Sequence, residues 1–161
     1  MESLVTLGTA VGTLLKARKQ TLAVAESSAG GVINAALVAV PGASAYYLGG
    51  AIVYTKAARK ALLGIDAEDM IDIRSASESY AALLARRVRI NLGATWGLSE
   101  TGASGPTGNR YGDAAGHACI AVSGPVDAVI TLETGNVDRE QNMWLFARRA
   151  LALLEACVRK A

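Results

Sequence analysis

Residues 25–31, AESSAGG, put a carboxylate, two hydroxyls and two glycines between an apolar run, TLAVA at 21–25, and a helix-like one. Three uses fit Glu26, Ser27, Ser28, Gly30 and Gly31 there. A serine is a nucleophile if a base takes its proton. The free N–H groups of a helix start cradle an anion. A hydroxyl at the same place also simply caps the helix. A second stretch, TGASGPTG at 101–108, sets Thr101, Ser104 and Thr107 among Gly102, Gly105 and Gly108. Such a loop brings backbone close to phosphate, yet it is neither a Walker loop nor a dinucleotide fingerprint. A third feature is Asp138-Arg139 at the head of the last helical pattern. Asp138 suits an N-cap. Arg139 opposes the helix dipole in that first turn, so it either grips a phosphate or carboxylate or makes a surface ion pair.

Other chemistries are excluded by what is missing. His117 is the only histidine, so no metal cluster is expected, and nothing resembles the G-x-S-x-G elbow of a Ser-His-Asp hydrolase. Cys119 and Cys157 lie far apart in apolar surroundings and read as buried free thiols of a reduced, cytoplasmic setting. The formal charge of +2 with no long basic run argues against nucleic acid as a partner. No apolar run reaches the roughly 18 residues of a membrane span, and the acid-containing, amphipathic start does not read as a signal peptide.

The elements that must position these residues follow from hydrophobic period. The chain has 161 residues, 52% apolar and 19% charged, and is expected to form one domain over 1–161. Helices are predicted over 2–18, 30–39, 56–63 and from Ser75 to about Asn91, the last opened by a Ser75/Glu78 capping box. Residues 66–71 form a short helix or turn. Strands are predicted over 21–25, 49–55 and 94–100, with a hairpin of HACIAV and VDAVITLE after a loop at 101–116. A final helix runs from Asp138 with Met143, Phe146, Ala150, Leu153 and Cys157 inward. Alternating helices and strands followed by a hairpin predict an α/β fold, a three-layer α/β/α sandwich with a mixed, partly parallel sheet. Ligands of open α/β sheets bind at the carboxyl ends of the strands. The loops ESSAGG, TKAAR at 55–59 and TGASGPTG should therefore share one rim.

The motifs together resemble a known family. AESSAGG resembles AESCTGG of the CinA C-terminal domain family, which includes nicotinamide-mononucleotide amidohydrolases. PGASAYYLGGAIVYTKAARKALLGI at 41–65 is similar to that family's PGAS…F.GG.V.YSNEAK..LLGV, TGASGPTG to TGIAGPxGG, and VDRE at 137–140 to GDRE. The resemblance implies hydrolysis of the carboxamide of nicotinamide mononucleotide, or of a related small amide, with no metal or cofactor. It implies Ser44 of PGAS as nucleophile, Ser27 and Tyr54 beside it, and Glu26, Gly30, Gly31, Thr101, Gly102, Gly105 and Arg139 around a small nucleotide. A homo-oligomer is expected.

One departure bears directly on the chemistry. The family's lysine in EAK is Arg59 here. Lowering a lysine from about 10.4 to about 7 costs ~5 kcal/mol, while an arginine starting above about 12.5 needs more than ~7 kcal/mol. Arg59 therefore acts as a fixed charge, and Lys56, three residues earlier on the same helical face, is the substitute candidate ahead of Lys60. DAAGHA also replaces KPVGTV, and Met143 replaces a second arginine. These losses leave an alternative open: a catalytically impaired protein that keeps the nucleotide pocket or binds a partner.

Overall fold

A computed structural model describes residues 2–161. The elements are α1 (Leu4–Arg18), β1 (Leu22–Glu26), α2 (Val32–Ala39), β2 (Tyr47–Ile52), α3 (Lys56–Leu63), α4 (Glu78–Leu92), β3 (Trp96–Ala103), β4 (His117–Ser123), β5 (Ala128–Glu133) and α5 (Arg139–Lys160). The five strands form one sheet in the order β2-β1-β3-β4-β5. β2, β1 and β3 run parallel, β4 pairs antiparallel with β3, and β5 pairs antiparallel with β4.

Strand alternation sorts the core into two layers. Leu22, Val24, Trp96, Leu98 and Ile120 pack with α1, α2 and α5 on one face. Ala23 and Ala25 face the other way, against Tyr80, Leu84 and Val88 of α4. The second layer sits close: a Cβ at Gly97 would stand 2.0 Å from the Ala85 carbonyl oxygen, so α4 crosses β3 only over a glycine. No helix among the described residues is long and apolar enough to cross a membrane.

Several predicted boundaries move. The strand expected at 49–55 ends at Ile52, and Val53-Tyr54-Thr55 leaves the sheet so that Thr55 can cap α3, its Oγ1 accepting from Ala58 N at 3.1 Å. Residues 66–71 form turns, with Asp66 Oδ1 accepting from the N–H groups of Glu68 and Asp69. α4 is capped by Ser77, which accepts from Tyr80 N at 3.2 Å; Ser75 is not the cap. The physical reason is long-range. Ala76, at φ 57°, donates its N–H to Thr101 Oγ1 and accepts at its carbonyl from the His117 ring, which holds residues 75–76 out of the helix. On α5 the buried stripe includes Asn142, Ala147, Leu151, Leu154 and Val158, with Met143 and Leu153 at its margin.

Candidate functional site

The carboxyl ends of β1, β2 and β3 open onto a cleft of about 400 Å³. All three loops singled out in the sequence reach it. Ser27 and Ser28 come from the β1–α2 turn, Tyr54, Lys56 and Arg59 from the β2–α3 junction, and Thr101, Gly102, Ser104 and Gly105 from the end of β3. Arg139 joins them from the first turn of α5.

Hydrogen bonds lock these pieces together. Ser104 Oγ donates to the Ser28 carbonyl at 2.6 Å, tying the glycine loop to the serine turn. Arg139 donates through Nη1 to the Gly105 carbonyl at 2.7 Å and through Nη2 to the Tyr54 hydroxyl at 2.9 Å. With its oxygen accepting from Arg139, Tyr54 keeps its own O–H free to donate into the cleft. Arg59 is buried, its guanidinium carbon 5.6 Å from the centre of the Tyr80 ring, and no ion pair engages it among the described residues. Burial pushes the Tyr80 phenol up, and the Arg59 charge partly offsets that.

The charge of the cleft is one-sided. Lys56, Arg59, Arg110 and Arg139 line it, and no aspartate or glutamate among the described residues does. Such a cavity focuses positive potential and concentrates anions.

Four expected site residues lie elsewhere. Ser44 is the important correction. It is exposed in a 3-10 turn (Ala43–Ala45) that precedes β2, whereas Tyr54 follows β2. Six strand residues at about 3.3 Å each separate the two ends of the sheet by on the order of 20 Å. Within one chain Ser44 cannot reach a substrate held by Tyr54, Thr101 and Arg139. Of the first motif's two serines at the cleft, Ser28 is buried with its hydroxyl donated to Glu100, and Ser27 is the half-buried one.

Glu26 is the second correction. It is fully buried and turned into the start of α2, where its Oε2 accepts from Asn34 N at 3.1 Å. The N-cap residue of α2 is Gly31, which has no side chain to cap with, so the carboxylate of the preceding strand does that work. Gly30 and Gly31, at φ 64° and 105°, make the left-handed turn between them and do not line the cleft.

Glu100 was not singled out in the sequence and proves central. It sits opposite Glu26 in the β1–β3 register and is fully buried. Its Oε2 accepts from the N–H groups of Ser27 and Ala29 at 3.1 and 2.8 Å, and its Oε1 accepts from the Ser28 hydroxyl. Burial raises the pKa of both carboxyls. That of Glu26 climbs from 4.5 to about 8, with the Glu100 charge adding to the effect of burial. Asn142 is the other missed residue. Fully buried on α5, it donates to the Ser104 and Asn136 carbonyls at 2.7 and 2.8 Å and so anchors the glycine loop. A polar residue inside an apolar helical stripe was the available signal.

This framework has relatives. The CinA C-terminal domain model matches residues 5–158. The chain belongs to the CinA C-terminal domain family. A CinA-like protein of Nostoc punctiforme is 40% identical over 128 residues, covering 80% of this chain and 31% of the relative. One from Salinibacter ruber is 37% identical over 147 residues, 91% of this chain and 36% of the relative. The chain thus spans about a third of the length of the curated relatives it matches. A CinA superfamily protein from Klebsiella pneumoniae superposes with a TM-score of 0.91 at 25% identity, covering 99% of this chain and 100% of that one. Another from Escherichia coli gives 0.87 at 27% identity, over 96% and 90%. The mixed five-stranded sandwich is therefore the CinA fold, with the cleft at its carboxyl rim.

Proposed function

We propose that this CinA-family chain hydrolyses the carboxamide of nicotinamide mononucleotide, or of a related small phosphorylated amide, with Ser27 as the nucleophile. The observation that carries the reading is the cleft itself: four cationic side chains, no carboxylate, and the half-buried Ser27 among the residues that line it. Arg139 and Arg59 hold the phosphate by charge-assisted hydrogen bonds. The amide carbon then lies within reach of Ser27 Oγ. Attack forms the C–O bond, and the serine proton passes through the Tyr54 hydroxyl to the amide nitrogen. Protonation of the amide nitrogen expels ammonia, and water cleaves the acyl-serine to release the carboxylate. Arg59 contributes a fixed charge and no proton transfer. Glu26 and Glu100 build the turn that presents Ser27 and stay out of the reaction.

A second reading has its own support. Arg59 packs on Tyr80 where a proton-transferring lysine would otherwise stand, which suits a protein that binds the nucleotide without turning it over. Ammonia release from nicotinamide mononucleotide by the purified protein separates the two. The first reading expects release that Ser27→Ala lowers at least about 100-fold and Ser44→Ala leaves intact. Retained activity in Ser27→Ala overturns the assigned nucleophile. No ammonia from the wild type, with a nucleotide-dependent rise in Tm, establishes the second reading.

A further inference from the structure

The cleft does not end at Lys56 and Arg59. Beyond them lies a second lobe of about 490 Å³, between α3, the turns at 65–73 and the loop carrying Tyr111. Lys56, Arg59, Ser75, Arg110 and Tyr111 line both lobes, so the two adjoin. The second lobe has a different floor, made by the half-buried side chains of Met70 and Ile73 with Ile65 buried behind them. Its rim adds Lys60 and Arg74. The one carboxylate lining it is Asp66, whose Oδ1 already accepts from two backbone N–H groups.

The charge count exceeds what one phosphate needs. Arg74 is neutralised by a two-pronged pair with Asp113 at 2.8 and 3.1 Å. Lys56, Arg59, Lys60, Arg110 and Arg139 have no ion-pair partner among the described residues. Five like charges around two adjoining cavities repel one another until an anion enters, and a single phosphate reaches only one lobe. Tyr111 stands at the junction, its ring centre 5.1 Å from the Arg74 guanidinium and 5.0 Å from that of Arg110. Those two cations fix an exposed ring in place beside an apolar floor.

We propose that the second lobe is a subsite for a further phosphate-linked unit that ends in an apolar or planar ring, so that the ligand class is a dinucleotide in place of a mononucleotide. This rests on the reading that the first lobe takes the pyridine nucleotide. The diphosphate bridge lies along Lys56, Arg59 and Arg110, and the second ring rests on Met70 and Ile73 beside Tyr111.

The test is calorimetric titration with nicotinamide mononucleotide, nicotinamide adenine dinucleotide and ADP. Wild type is compared with Lys60→Glu and Ala67→Trp, both exposed positions confined to the second lobe. The dinucleotide is expected to bind at least about tenfold tighter than the mononucleotide, and both variants to erase that difference while leaving mononucleotide affinity within about twofold. Equal affinities in the wild type, or a difference that survives both variants, overturns the subsite. If the mononucleotide does not bind, the reading of the first lobe falls and ADP alone decides the second. ADP binding weakened about tenfold by both variants upholds the subsite; ADP unbound, or bound equally by all three proteins, overturns it.

Discussion

Replacing Glu26 by glutamine should change how the fold responds to pH, by an amount the structure sets. Glu26 is fully buried next to Glu100, and its pKa rises from 4.5 to about 8 on folding, chiefly by burial. A group whose pKa is raised in the folded state stabilises the protein fully below its unfolded value, and loses that contribution as pH climbs to the folded value. The window here is pH 4.5 to about 8. At pH 7 the wild type stands about 2.5 units above the unfolded value, which at ~1.4 kcal/mol per unit costs ~3 kcal/mol. Glutamine does not titrate and keeps an acceptor for Asn34 N–H. Its amide also puts N–H groups in a site where Glu26 Oε1 has no hydrogen-bond partner, a cost of ~1–2 kcal/mol that is independent of pH. Glu26→Gln should therefore be stabler than wild type by ~1–2 kcal/mol at pH 7 and slightly less stable at pH 4, a swing of ~3 kcal/mol. Urea unfolding followed by circular dichroism from pH 4 to pH 8 measures it. Stability curves for the two proteins that run parallel across this range would refute the assignment of Glu26 as a buried, largely protonated group.

Three further outcomes are expected. The His117 ring faces an acceptor at each nitrogen, the Glu133 carboxylate and the Ala76 carbonyl, which only the doubly protonated ring satisfies. Burial opposes that charge, but these bonds outweigh it and raise the pKa above 6.5. The contribution is present below 6.5 and lost as pH rises through the folded value, so His117→Gln should cost ~1 kcal/mol at pH 6 and less at pH 9 in the same unfolding assay; an equal cost at both would refute the charged ring. Arg59→Lys should raise ammonia release from nicotinamide mononucleotide if a proton-transferring amine limits the rate, and an unchanged or lower rate would mean the site works around the guanidinium. Sedimentation at micromolar concentration should give a mass above 16.6 kDa, since the chain is expected to self-associate; a monomer would end that expectation.

The rim of loops was legible because each follows a strand, and parallel strands bring their carboxyl ends together. The same rule applied to Ser44 gives the opposite answer. Ser44 precedes the strand that Tyr54 follows, so the order of the two residues around β2 already placed them at opposite ends of the sheet. The resemblance of PGAS to its family motif masked that topological signal. Glu26 was visible as a polar residue at a strand end, but part of its raised pKa comes from Glu100, 74 residues away, and only the pairing of β1 with β3 brings them side by side. The start of α4 was misplaced for a similar reason. Ser75 and Glu78 have the spacing of a capping box, and Thr101 and His117, distant in sequence, hold Ala76 out of the helix. The second lobe had no local signature, since Lys60, Met70, Arg74 and Tyr111 meet only through the packing of the turns at 65–73 against the loop after β3.

The most direct measurement is equilibrium binding of nicotinamide mononucleotide against its dephosphorylated nucleoside, at low and high salt. An acid-free cleft of four cations should hold the nucleotide at least about 100-fold tighter than the nucleoside, and added salt should narrow the gap. Equal affinity for the two, insensitive to salt, would contradict a phosphate-reading site at the carboxyl rim of this sheet.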